Sequence, residues 1–170
     1  MSEAHAIHCY EYVNRPYVDV ATALVHDAVG LFERATASAT GRARALVTTL
    51  KVHVAGLEVG KNVVIHVTRV NRHARAPGHM APEATTLDLE WRAETGAALF
   101  PAMHASLTVY PLSAGETQLD LRGTYEPPGG ALGDVADKML GHRIAEASVH
   151  TFLGALAQRL SEELAPQAAQ

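Results

Sequence analysis

Segment after segment in the middle of this sequence alternates apolar and polar residues with a period of two, and the chain then changes to a helical period for its last 30 or so residues. That switch constrains the fold more than any other feature. The alternation is clearest in Leu87, Leu89 and Trp91 against Asp88, Glu90 and Arg92, and in Leu119 and Leu121 against Gln118, Asp120 and Arg122. Side chains of a strand point to opposite faces in turn, so this pattern makes a strand with one buried face. Residues 6–13, 63–67 and 103–109 read the same way, and so do Leu46, Leu50, Val52 and Val54 against Lys51 and His53. Between them lie residues 56–60, Ala76-Pro77-Gly78, Glu94-Thr95-Gly96 and Ser113-Ala114-Gly115, all turn chemistry. Connections this short favour antiparallel neighbours, because parallel strands need a crossover of a dozen or more residues.

Two helical regions flank the strands. Asn14-Arg15-Pro16 stops the first strand, and the apolar spacing then lengthens to Val20, Leu24, Val25, Ala28, Leu31 and Phe32. This predicts two short helices, with Gly30 as their joint and Gly41 as their end. After Pro127-Pro128-Gly129-Gly130 a long helix is expected over 132–164. Wound at about 100° per residue, Leu132, Val135, Met139, Val149, Leu153, Leu156, Leu160 and Leu164 share one arc, the stripe that should face a sheet. The expected architecture is α+β: an antiparallel sheet of six or seven strands with the long C-terminal helix laid across one face. The 170 residues, 48% apolar, suit a single domain over 1–165 with a flexible Ala/Gln-rich tail at 166–170.

Several functions lose their usual support. The 14 Lys plus Arg against 18 Asp plus Glu leave a net charge of −4, where a nucleic-acid binder would carry a positive balance. The longest run of large apolar residues, Val63-Val64-Ile65, is far short of the roughly 20 needed to cross a bilayer, and the first residues lack a signal-peptide pattern. A soluble, cytoplasmic protein is expected, and the single Cys9 excludes an intrachain disulfide and multi-cysteine metal motifs. Gly56 to Lys61 imitates a phosphate-binding loop, yet it has one residue too few between the glycines and Asn62 where Ser or Thr should stand. Neither a dinucleotide fingerprint nor a nucleophile elbow is present, and no cofactor is expected. Arg69, Arg72, His73, Arg75 and His79 read as a solvated basic loop.

The C-terminal half carries a resemblance. Leu99-Phe100-Pro101, the run Leu107-Thr108-Val109-Tyr110-Pro111-Leu112, the run Gly123-Thr124-Tyr125-Glu126-Pro127-Pro128-Gly129-Gly130 and His142-Arg143-Ile144-Ala145-Glu146-Ala147 are similar to bacterial polyketide-cyclase and START-related proteins of the SRPBCC superfamily. The likeness covers about residues 98–160. It implies the helix-grip fold, in which a curved antiparallel sheet closes around the long helix and leaves a deep apolar cavity. It does not imply one reaction, because a fold hosts many functions.

His142, Arg143, Glu146 and His150 fall within or beside the apolar stripe of the long helix. Charges there need a partner or water. Arg143 and Glu146, three residues apart, can neutralise each other, or the four can face the polar end of a ligand. His142, Glu146 and His150 are spaced by four, but the outer two lie about 12 Å apart along the axis, too far for one ion, and no metal site is expected. The pocket wall is expected from Leu89, Trp91, Phe100, Met103, Tyr125 and Met139, residues that equally suit a plain core. The double proline and double glycine before the helix serve as a stiff connection or as a gate to the pocket.

The leading expectation is a protein that binds, sequesters or carries a hydrophobic or amphipathic small molecule or lipid, without stable membrane insertion. One alternative is a cyclase, aromatase or dehydratase in which His142, Arg143 and Glu146 do acid–base work. The other is a homodimer or protein-docking module built on the open sheet edge or the helix.

Overall fold

The computed structural model describes residues 5–49, 63–73, 83–93, 102–126 and 135–165. Five strands are found among them: β1 (His5–Val13), β2 (Val63–His73), β3 (Ala84–Ala93), β4 (Ala102–Pro111) and β5 (Thr117–Glu126). All neighbours are antiparallel, in the order β1-β5-β4-β3-β2. Two helices complete the fold, α1 (Tyr17–Thr49) between β1 and β2, and α2 (Val135–Glu163) after β5. The helix α2 packs on β1, β5 and α1, while α1 also reaches β2 and β4. This is the α+β, helix-grip arrangement: the first and last strands lie side by side in the sheet, and the C-terminal helix crosses it.

The alternation does what its period requires. Leu87, Leu89, Met103, Ala105, Leu107, Val109, Leu119 and Leu121 are all buried on the face under the helices, together with Ile7, Cys9 and Val13 of β1. On α2 the arc holds where side chains are described, with Val149, Leu153, Leu156 and Leu160 all buried. Phe152 meets Phe32 of α1 with ring centroids 6.0 Å apart. Tyr17, in the first turn of α1, ties that helix to β3 through a buried hydroxyl pair with Thr85 at 2.8 Å.

The outward face is polar and internally paired. Ser106 donates to Asp88 Oδ1 at 2.8 Å, His104 Nδ1 lies 3.2 Å from Glu90 Oε1, and Arg122 Nε donates to Asp120 Oδ1 at 2.9 Å. His8 adds a second contact to Asp120 at 3.3 Å.

Three sequence expectations are corrected. The joint in the first helical region lies at Asp27 rather than Gly30. Asp27 leaves helical geometry at φ −140° and ψ 44°, and its carboxylate accepts a hydrogen bond from the Gly30 backbone N–H at 3.2 Å. An Asp three residues ahead of the amide it caps is a helix start, so glycine marked the right turn but the wrong residue. Second, α1 runs through Gly41 to Thr49, so Leu46 belongs to a helix, while residues 50–62 with the remainder of the expected strand lie outside the described residues. Leu46 and Leu50 are four apart, a spacing that fits a helix as well as a strand. Five strands are therefore described where six or seven were expected. Third, Arg69, Arg72 and His73 belong to β2 rather than a loop; Arg75 and His79 lie outside the described residues. A register shift between Val67 and Arg69 breaks the period of two there, which hid the strand from its pattern.

Candidate functional site

The register aligns residues across the sheet. Ile65, Trp91, Met103, Tyr125 and His5 stand directly opposite one another in turn, one from each strand, and form a single row at one end of the helix-covered face. Ile65, Met103 and Tyr125 are buried. The next row inward is Val67, Leu89, Ala105, Gly123 and Ile7. Its middle is occupied by the two smallest residues of the row, Ala105 and Gly123, which leaves less side chain under the helix there than in the rows on either side. Gly123 is required by a close approach: a Cβ on it would meet the backbone carbonyl oxygen of His104 and come within 2.7 Å of the Ala105 Cβ. A glycine inside a strand at such an approach permits a sharp bend of the sheet.

The helix α2 packs on β1 and β5, the two strands that carry His5 and Tyr125. Glu146 is half-buried and belongs to the same stripe as Val149 and Leu153, which are fully buried. A carboxylate is thus carried by the sheet-facing side of the helix. Its presence is felt at Tyr125: burial pushes that phenol up to about 12, and the negative charge of Glu146 adds to the rise. A phenol with so high a pKa is neutral at every physiological pH and keeps its proton to donate. Tyr125 itself is 1% exposed.

Of the expected site residues, the structure brings Leu89, Met103 and Tyr125 together on adjacent strands and sets Glu146 on the facing helix. Trp91 holds its place in the row by backbone register, but its side chain lies outside the described residues. The same is true of the side chains of Met139, His142 and Arg143 on α2, and Phe100 and Pro127-Pro128-Gly129-Gly130 lie outside altogether. His150 is exposed, beside the buried Val149. It lies about 100° from Val149 but only about 40° from Glu146 around the helix, at the edge of the stripe.

His5, which the sequence reading did not single out, belongs to the same row. Its ring lies 5.8 Å from that of Tyr125, tilted by 35°. The signal was present in the alternation of β1, where His5, Ile7 and Cys9 share one face, but a histidine at the very start of an apolar row reads as the polar boundary of a strand. Cys9, on the same face, is a packing residue: burial first, with help from Asp120 and Glu11, pushes its thiol up to about 12. No group of three or more metal-ligating side chains is placed to hold an ion among the described residues, and no helix among them is long and apolar enough to cross a membrane.

Several solved structures are similar to the chain at low sequence identity. The chain is similar over 99% of its length to the Zhui aromatase/cyclase from Streptomyces sp. R1128, covering 100% of that chain at 16% identity and a TM-score of 0.49. It is similar to norcoclaurine synthase from Thalictrum flavum, solved with dopamine and hydroxybenzaldehyde, over 99% of this chain and 91% of that one, at 13% identity and a TM-score of 0.42. A conserved protein from Geobacillus kaustophilus covers 94% of this chain with 97% of its own, at 11% identity and a TM-score of 0.46. No protein-family model and no curated protein matches the sequence. The fold rests on the strand order, the register and the placement of α2.

Proposed function

We propose that the protein binds a hydrophobic or amphipathic small molecule between the His5–Tyr125 end of the sheet and α2. The observation that carries this reading is the half-buried carboxylate of Glu146 on the sheet-facing stripe of α2, set over an otherwise apolar face that ends in the neutral phenol of Tyr125. Small-molecule sites have this composition: apolar walls with a few convergent polar groups. Leu89, Met103 and Tyr125 supply the wall, and Ala105 with Gly123 supplies depth. The sequence offers Trp91, Phe100 and Met139 as further wall candidates, and His142 and Arg143 as further polar ones.

The same pair of groups supports a second reading, an acid–base enzyme of the cyclase, aromatase or dehydratase kind. Glu146 would take a proton, Tyr125 would give one, and His142 and Arg143 would polarise the substrate. Binding comes first in either case. Titration with the fluorescent apolar probe 1-anilinonaphthalene-8-sulfonate should give saturable, one-to-one enhancement that is displaced by a neutral polycyclic hydrocarbon. Enhancement that neither saturates nor is displaced would remove the ligand-binding reading. Turnover unchanged in Glu146→Gln would remove that residue from the enzymatic one.

A further inference from the structure

The face of the sheet turned away from the helices carries a cluster that small-molecule binding leaves unused. On β1, His8, Tyr10 and Tyr12 alternate with the buried Ile7, Cys9 and Val13, so they stand on the outward face. The register sets His8 beside Arg122 and Tyr10 beside Asp120 of β5. Both oxygens of Asp120 are engaged: Arg122 Nε donates to Oδ1 at 2.9 Å and Nη2 to Oδ2 at 3.3 Å, with His8 Nε2 at 3.2 Å from Oδ1. The carboxylate side chain is 10% exposed, whereas that of Arg122 is 69% exposed. A guanidinium is planar, with its donors in a fixed fork, so giving Nε and Nη2 to Asp120 turns the other edge, Nη1 with the second Nη2 proton, away from that carboxylate. Among the described residues no hydrogen bond reaches Nη1, nor the hydroxyls of Tyr10, Tyr12 and Tyr110. Tyr10 and Tyr12 meet edge to face with ring centroids 5.7 Å apart, and they are 53% and 47% exposed.

We propose that this outward corner of β1 and β5 docks an acidic segment of a partner protein, with a carboxylate of that segment received on the open edge of Arg122 and its apolar atoms laid on Tyr10 and Tyr12. The surface lies on the other side of the sheet from the small-molecule site and does not depend on it. Charge complementarity sets the partner's chemistry. The positive member of the Arg122–Asp120 pair is exposed and the negative member is covered, so an approaching segment meets the guanidinium first. A guanidinium fork and a carboxylate match in a bidentate pair. Asp120 already holds the fork in one orientation, so less side-chain freedom is lost when the second carboxylate arrives. Tyrosine and arginine are also the residues that dominate binding energy in protein interfaces. A nucleic-acid backbone or an anionic membrane surface is gripped by many cations acting together, and this corner offers one arginine in a chain of net charge −4.

The test follows amide signals of the isotope-labelled full-length protein by NMR during titration with a synthetic peptide, Glu-Asp-Trp-Glu-Asp, blocked at both ends. Its control is the uncharged Gln-Asn-Trp-Gln-Asn. The acidic peptide should shift the amides of residues 8–12 and 120–122 saturably and bind at least tenfold tighter than the control. Arg122→Lys keeps the charge but not the fork, and a loss of at least fivefold is expected. Tyr12→Ser, one row away from the ion pair, is the second variant and should lose at least threefold. Amide signals of the core strands that match the parent protein show that either variant is folded. Equal binding of the two peptides, shifts confined to other parts of the chain, or an affinity unmoved in both folded variants overturns the proposal. Phosphatidylglycerol vesicles or a single-stranded oligonucleotide that occupy this corner more tightly than the acidic peptide overturn it as well, by replacing the class of partner.

Discussion

Gly123 shows how much a single position decides. The strand β5 lies so close to β4 there that an added methyl group would meet main-chain atoms of His104 and Ala105, which cannot rotate away as the end of a flexible side chain can. Gly123→Ala should therefore cost about 1–3 kcal/mol, the range for overpacking a close-packed interior. A urea midpoint unchanged from the parent protein would contradict the close approach. Asp120, on the outward face, makes a second residue-scale case. Burial works to raise its carboxyl, but hydrogen bonds from Arg122 and His8, with their charges, outweigh it and hold the group below its ordinary range. A carboxyl depressed in the folded state contributes stability that is present above its unfolded pKa of about 3.9 and lost as pH falls through the folded value. The stability gap between the parent protein and Asp120→Asn should thus be widest near neutral pH and close progressively below about pH 4. Denaturation midpoints measured from pH 7 down to 3 check this, and a gap that widens in acid would refute it.

At the scale of elements, the break in α1 is a helix start inserted within a helix. Asp27 caps the Gly30 amide and also meets Arg34, which reaches on to Glu163 near the end of α2 at 3.2 Å. The ion pairs are exposed and contribute little, so most of the effect of Asp27 lies in its cap. Asp27→Ala should cost about 1 kcal/mol, and hydrogen exchange should quicken first at the amides just after the break. Uniform exchange along α1 in the variant would assign the kink to packing instead. The same end of α2 is also held by Arg15, which donates to the Ser161 carbonyl at 2.7 Å and so links the turn after β1 to the last turn of the helix. The strands and α2 were legible in the sequence because their patterns are long and regular. Leu46 and the stretch from Thr68 to His73 were not, the first because a spacing of four serves two structures, the second because a bulge resets the alternation.

For the whole molecule, the ligand-binding reading has a thermodynamic consequence. A ligand that binds only the folded chain, present at a hundred times its Kd, adds about 2.7 kcal/mol of stability. For a domain of this length that corresponds to a rise in Tm of roughly 5–10 °C. A thermal scan with saturating 2-naphthol or a neutral polycyclic hydrocarbon measures it, and a Tm independent of ligand concentration would speak against binding. The candidate site was only partly legible. Leu89, Met103, Tyr125 and Glu146 each carried a local sign, an alternating position or a charge on an apolar stripe. His5 carried none that set it apart from the polar boundary of a strand.

The sequence by itself determined the periods: which faces of the strands and of the last helix are apolar, that neighbouring strands run antiparallel, and that one long helix follows them. These are local properties, fixed by where successive side chains point along a strand or a helix. Only the tertiary structure decided which strands are neighbours. It placed the first strand beside the last, and in doing so set His5 against Tyr125, 120 positions away along the chain. It also set both under the helix that carries Glu146. The register of β1 on β5 is a property of the closed sheet and of the core that α2 completes, and no local period encodes it.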